Sequence, residues 1–310
     1  MSQKFICLCC ISLFCATTLA QKPPLVEPAY QDVLSGFPNL RDFTISQNED
    51  EAYFTALSPS GELSFIVRID KHNNTWTKEI ASFSGQYTDL EPFLSADGLK
   101  LFYASNRPKT VGAPTADMDI WYVTRTSKTS SWSKPINAGP KVNTTDSEFY
   151  PAITDSGNLY FTCSKTGSET HDDIYLAEWN GKDYDTPIAL GDAVNSKGYE
   201  FNAYVSPDES IIIFSGFGRP DGIGLGDLYI SQKNENGEWT RAKNLGSEIN
   251  SDKLDYCPFL NVKTRTLYFT SRRSSVLLKK GGFDSVDSFL TEINKYENGQ
   301  SRIYKTTLKW

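Results

Sequence analysis

Short apolar runs bounded by turn residues recur along the chain. Five of them, EAYFTA (51–56), LKLFYAS (99–105), NLYFTCS (158–164), IIIFSG (211–216) and TLYFTS (266–271), are rich in β-branched and aromatic residues, which predicts strands. Ahead of most stands FLSADG, AITDSG, YVSPDE or FLNVKT, turns that suit a hairpin from a preceding short strand. A looser loop then leads to a second alternating run, MDIWYVT, DDIYLAE or GDLYISQ, read as a third strand. The segments NTWTKEI, SSWSKPINAG, KDYDTPIALG and GEWTRAKNLG follow; an aromatic, then polar residues, then an aliphatic predicts an outer strand. No long 3.6-residue periodicity competes.

Four strands per unit, repeating about every 50 residues, describe the blade of a β-propeller. The expected fold is all-β: a single β-propeller of five four-stranded blades. The motifs S-P-D-x, x-L-Y-F-x-S and D-[IL]-[YW] resemble the WD-like repeat of the TolB-type family of exported propellers, over roughly residues 40 to 295. That resemblance implies an exported or periplasmic setting, and since the family includes six-bladed members, six blades is the alternative. Blade 1 departs most, with ISQNED at the turn and ELSFIVRI in place of D-I-Y. For ring closure, RIYKTTL (302–308) is expected as the outer strand of the last blade, with DSFLTEI (287–293) as its third strand. The competing closure uses YQDVLSG (30–36) as an N-terminal clasp.

The chain has 310 residues, 13% of them aromatic, and a net charge of −7. An acidic balance argues against nucleic acid and for a cation, a basic protein surface or a neutral glycan. Lys4 ahead of an apolar run from Phe5 to Leu19, with Thr18-Leu19-Ala20 for cleavage, reads as a secretory signal over 1–20, leaving 21–310 as the propeller. Its apolar run is too short to span a bilayer comfortably, so no transmembrane segment is expected after cleavage, and the location is periplasmic or secreted. Phe14 before Cys15 argues against lipid attachment. Cys7, Cys9, Cys10 and Cys15 would leave with the leader, and Cys163 and Cys257 are expected as small buried side chains, not a disulfide.

Aligning the units exposes an acid three positions before the first strand's Pro or its equivalent: Asp89, Glu148, Glu200 and Asp255, with Leu40 in blade 1 and Asp42 nearby. Four such carboxylates near one channel mouth would need a cation, a basic partner or raised pKa values; calcium is one ion that would serve. Otherwise each accepts backbone N–H groups of the loop between blades. Arginines after the second strands, Arg107, Arg219 and Arg272 or Arg273, could bind carboxylates or sugars at that mouth or pair with acids of the next blade. Asn143, Asn195 and Asn250 each precede the ring acid by five residues, as blade-connecting turns. Asp119, Asp173 and Asp227 begin third strands and are expected to bond their own loops. His171, beside Asp172 and Asp173, has no repeated counterpart and reads as a loop residue, with no metal ligand set identified. GIGLG (222–226) joins two strands and opens no helix, so it is a flexible loop and not a phosphate cradle.

No G-x-S-x-G, H-E-x-x-H or C-x-x-C signature occurs in the expected mature chain. The sequence therefore favours an exported, non-catalytic, monomeric propeller that binds an envelope protein or glycan through one face of its channel, with no required cofactor. The alternative is a carbohydrate-active enzyme, a glycoside hydrolase or lyase, working through Asp89, Glu148, Glu200 and Asp255, since some five-bladed propellers of arabinanase type place carboxylates in the central funnel.

Overall fold

A computed structural model describes residues 25–110, 112–115, 117–164 and 172–309. The expected signal segment and His171 lie outside the described residues. Five four-stranded antiparallel sheets form the blades of a five-bladed propeller, as the five sequence repeats predict. The innermost strands are Asn39–Ile45, Asp89–Leu94, Ser147–Ile153, Tyr199–Val205 and Asp255–Asn261. The second strands, Glu51–Leu57, Lys100–Ser105, Leu159–Ser164, Ile211–Phe217 and Thr266–Ser271, carry the apolar cores, and they are almost wholly buried because each is covered on both faces by neighbouring blades. Third strands run over Ser64–His72, Asp119–Thr124, Asp172–Ala177, Asp227–Gln232 and Arg302–Thr307.

Outer strands are weaker than the sequence suggested. Only blade 1 has a full one, Thr75–Ile80; blades 2 to 4 keep the two-residue stubs Ile136–Asn137, Ile188–Ala189 and Lys243–Asn244. The repeated asparagines compensate. Asn143, Asn195 and Asn250 each accept the backbone N–H and take up the carbonyl of one third-strand residue, Ile120, Ile174 and Leu228, at 2.7–3.1 Å. A side-chain amide thus supplies the ladder bonds that a longer fourth strand would make.

Ring closure differs from the expectation. Arg302–Thr307 is the third strand of the last blade, and its outer neighbour is Glu27–Pro28 from the N-terminus. DSFLTEI is no strand: Val286–Ile293 is a helix, capped at Ser285 by reciprocal bonds with Ser288. YQDVLSG is not the clasping strand either, since Gln31–Leu34 within it forms a short helix. That helix buries Val33 and Leu34 in the main core, with Tyr30 and Phe37 packed against it, so the N-terminal segment locks the ring by burial more than by strand pairing.

All five innermost strands share one irregularity. The register shifts between Arg41/Thr44, Leu90/Phe93, Phe149/Ala152, Phe201/Tyr204 and Tyr256/Phe259, a β-bulge repeated around the ring. Its central residues, Asp42, Glu91, Tyr150, Asn202 and Cys257, all have φ between 48° and 62°. Bulges re-aim side chains, and non-glycine residues persist in this left-handed region only where their surroundings hold them. Here the bulge N–H is held by a threonine of the preceding blade: Asp42 by Thr270, Glu91 by Thr55 and Asn202 by Thr162, at 3.0–3.2 Å. Blade 2 has Ala104 at the threonine position, and there the Tyr150 N–H donates to the Glu91 carboxylate instead, at 2.7 Å.

Candidate functional site at the channel axis

The re-aimed side chains meet on the propeller axis. The Glu91 carboxylate of blade 2 accepts from Arg41 of blade 1 at 2.7 Å, from the Tyr150 backbone of blade 3 and from Asn202 of blade 4 at 3.4 Å. A group that touches three other blades must lie near the centre of the ring. Arg41 also pairs with Asp42 at 2.7 Å and reaches the Cys257 sulfur of blade 5 at 3.6 Å, while the Tyr150 hydroxyl crosses to the Pro258 carbonyl at 3.0 Å. Below this polar tier the rings of Phe93, Tyr204 and Phe259 stand 5.3–6.0 Å apart. They plug the channel, so it is a cup closed at the bottom and not a pore.

Electrostatics in the cup are strongly perturbed. Asp42 and Glu91 are buried. Desolvation pushes the Glu91 carboxyl up to about 7 against the pull of Arg41, and burial beside the Asp42 charge drives the Cys257 thiol well above its ordinary range. Arg41 lies deep among these anions, which hold its guanidinium charge firmly. Its side chain nevertheless keeps 22% of its surface exposed, lies 5.1 Å over the Tyr256 ring, and closes the floor of a cavity of about 320 Å³ with Asn39, Ser60, Tyr256, Arg272 and Ser301. The Asn39 Oδ1 atom is buried there without a hydrogen-bond partner. Half-buried Phe149 and Phe201 pack against the cluster of Tyr150, Tyr256 and Cys257. A larger cleft of about 1230 Å³ lies between the outer parts of blades 3 and 4, around Arg219, Trp239 and Arg241; the axial mouth is the stronger candidate because buried charges of blades 1 and 2 meet polar groups of the other three blades there.

The four repeated acids sit two residues before the bulge, each fully buried, and no ion pair or hydrogen bond joins one to another among the described residues. Asp89 accepts from Ser84, Ser105 and Arg107 at 2.7–2.8 Å. Glu200 accepts from the backbone and hydroxyl of Ser196 and from Arg219 at 2.6–2.9 Å. Asp255 accepts from the backbone and hydroxyl of Ser251 and from Arg273 at 2.5–3.0 Å. The pairing arginine therefore belongs to the same blade as its acid, not to a neighbour. In blade 5 it is Arg273, while Arg272 is exposed at the axial mouth and donates to Ser301 at 3.2 Å. Among the described residues Glu148 accepts from the backbone and hydroxyl of Thr144, and its buried Oε2 has no partner among them; desolvation pushes its carboxyl up to about 7.

Of the strand-starting aspartates, Asp227 accepts the backbone N–H groups of Ile223 and Gly224 from its own loop. Asp119 takes Lys109 from its own loop and, beyond it, Asn137, both at 3.1 Å. Asp173 lies at the start of its strand as expected. The GIGLG loop is pressed onto the next blade, where a Cβ on Gly224 would stand 2.3 Å from the Lys253 carbonyl. Cys163 and Cys257 are buried free thiols in different blades. No described helix is long and apolar enough to cross a membrane, and among the described residues no three or more His, Cys, Asp or Glu side chains gather as a metal site would require.

No family model and no curated protein sequence matches the chain. Among solved structures it is similar to the endo-arabinase of Bacteroides thetaiotaomicron, with 14% identity and a TM-score of 0.54 over 88% of this chain and 95% of that one. It is also similar to the α-L-arabinofuranosidase PaAbf62A of Podospora anserina, with 13% identity and a TM-score of 0.53 over 92% and 95%. A putative TolB of Agrobacterium tumefaciens matches with 12% identity and a TM-score of 0.50 over 87% and 91%. Of a TolB from Acinetobacter baumannii the chain spans 55%, at a TM-score of 0.48. At such identities the likeness establishes the propeller fold, shared by TolB-like and arabinan-degrading proteins alike.

Proposed function

We propose that this protein is an exported, non-catalytic propeller that binds a glycan or protein of the cell envelope at the axial mouth. Arg41 and Arg272 supply the charged contacts, and half-buried Phe149 and Phe201 supply flat apolar surface. One observation carries the reading: Arg41 stands between Asp42 and Glu91 and is paired to both. Glycosidic hydrolysis needs two carboxyl groups facing an open cleft with substrate between them. Here a guanidinium occupies that place and turns its remaining surface to the mouth. Asp89, Glu200 and Asp255, engaged by their own arginines, serve this reading by fixing the loops around the rim. A free guanidinium edge beside aromatic rings recognises hydroxyl-rich or carboxylate-bearing ligands.

The second reading, a carbohydrate-active enzyme, draws support from Glu91, whose raised pKa is what a general acid requires, and from the fold shared with arabinan-degrading enzymes. A glycan array and an envelope-extract pull-down with the chain from residue 25 onward test the choice, with Arg272→Ala as the control because that exposed side chain leaves the fold intact. Binding that Arg272→Ala weakens about tenfold, with no sugar released, is the expected result; release of sugars would refute it.

A further inference from the structure

Blade 5 carries two arginines where blades 2 and 4 carry one. Ser271-Arg272-Arg273 answers to Ser105-Asn106-Arg107, since Asp255 faces Ser271 as Asp89 faces Ser105. Arg273 matches Arg107: it meets the repeated carboxylate at 3.0 Å, donates to the Ile249 carbonyl of the connecting turn at 2.8 Å and lies 4.7 Å over the Tyr304 ring. Arg272 is left over from that arrangement. At its position Asn106 accepts the Thr88 N–H of its own loop, and Phe217 packs on Tyr199 at 5.8 Å. Arg272 instead lines the axial cavity, where its Nε donates to Ser301 at 3.2 Å, and it forms no ion pair among the described residues.

Arg41 is the second departure from the repeat. The residue just before the bulge is Leu90, Phe149, Phe201 and Tyr256 in blades 2 to 5, and an arginine in blade 1 alone. Asp42 and Glu91 hold its Nε and Nη2, while its Nη1 makes no hydrogen bond among the described residues.

Both guanidinium groups line the same cavity of about 320 Å³, whose other polar walls are Asn39, Ser60, Gln300 and Ser301 and whose lining holds no Asp or Glu. In a chain of net charge −7 that is a local positive spot, and two forks of N–H donors match a planar carboxylate. The hydroxyl and amide side chains around them both donate and accept, which suits the hydroxyls that a sugar ring carries beside its carboxylate. Asn39 is buried, and its Oδ1 has no partner among the described residues, so this wall keeps an acceptor for a donor the protein does not provide. The volume is at the low end of ligand pockets, about 300–1,000 Å³, room for one sugar residue.

We propose that the axial cavity is a uronate site, in which Arg41 and Arg272 grip the carboxylate of an acidic sugar while Asn39, Ser60 and Ser301 take its ring hydroxyls. This rests on the axial mouth being the binding face and adds the charge and kind of ligand. A peptide C-terminus offers the same carboxylate but no hydroxyls for these walls, so the glycan is the better match.

The test is a calorimetric titration of the chain from residue 25 onward with a galacturonate trimer, its methyl ester, the neutral galactose trimer and a tripeptide with a free C-terminus, repeated in Arg272→Ala and Arg272→Lys. The acidic trimer should bind at least about tenfold more tightly than its ester, and added salt should weaken the trimer more than the ester. Arg272→Ala should remove most of that preference, and Arg272→Lys should keep part of it because the charge stays while the fork is lost. Equal binding of trimer and ester, both weakened by Arg272→Ala, would overturn the uronate assignment and leave the axial mouth as a glycan site. An acid preference unchanged in Arg272→Ala would overturn both the assignment and the axial mouth. Tighter binding of the tripeptide than of the trimer would overturn the glycan in favour of a protein terminus.

Discussion

Removing one arginine from its buried pair with a repeated acid should be far more damaging than its partial exposure suggests. In blade 4 the Glu200 carboxylate is fully buried and held by Arg219 at 2.9 Å and by the Ser196 backbone and hydroxyl. Arg219→Leu keeps apolar contact with Phe214 and Tyr229 but leaves the carboxylate without its cation. Breaking a buried pair from one side costs about 3–5 kcal/mol, a fifth or more of a typical domain's net stability of about 5–15 kcal/mol. That corresponds to a fall in Tm of roughly 5–15 °C for a chain of this size. Adding Glu200→Gln removes the stranded charge, so the double variant should recover about 2 kcal/mol relative to Arg219→Leu. Urea denaturation of the wild type, both single variants and the double variant at pH 7 gives the complete cycle. A cost below about 1 kcal/mol for Arg219→Leu, or a double variant no more stable than it, would refute the view that these pairs staple the blades.

Three further outcomes follow from the same structure. Glu148 has an ordinary carboxyl value of 4.5 that the fold raises to about 7; the native state therefore binds the proton more tightly, its contribution is fully present below about 4.5, and it is lost as pH rises through 7. Denaturation between pH 4 and 8 should show wild type losing roughly 1–2 kcal/mol more than Glu148→Gln, less than the shift alone implies because solvent screens part of it; parallel curves would contradict this. Leu34→Ala, in the N-terminal segment that locks the ring, should cost about 2–5 kcal/mol, whereas Leu25→Ala, 39% exposed, should stay within about 0.5 kcal/mol; equal Tm values would mean that the segment is not a lock. Cys163 and Cys257 should both resist a thiol reagent in the folded chain from residue 25 onward and both react in denaturant, and rapid labelling of either in the native state would contradict their burial.

The blades were legible because one strand pattern recurs with the same residue types, and the repeated acids were legible for the same reason. The bulge tier was not. One repeat position carries Asp42, Glu91, Tyr150, Asn202 and Cys257, five different side chains whose only shared property is a backbone conformation, so a search for sameness passes over the residues that meet on the axis. Their signal in the sequence is positional: each stands two residues after the repeated acid or, in blade 1, after Leu40. Ring closure failed for another reason. A two-residue strand, Glu27–Pro28, has no periodicity to read, and DSFLTEI stands at the spacing of a third strand along the chain, although its apolar Phe289, Leu290 and Ile293 follow a helical spacing and Ser285 and Ser288 cap it as a helix. Arg272 and Arg273 are adjacent in sequence, and only the geometry of the pair tells which one turns inward to Asp255.

Binding against turnover at the axial mouth is the measurement that decides the account. The chain from residue 25 onward would be incubated with a panel of arabinan, xylan, peptidoglycan and anionic envelope polysaccharides, with bound ligand and released reducing sugar measured in the same wells. The account predicts retention of at least one polymer, weakened in Arg272→Ala, with reducing sugar at the level of the protein-free control. Release of sugar that Glu91→Gln abolishes would contradict it and make Asp42 and Glu91 a catalytic pair.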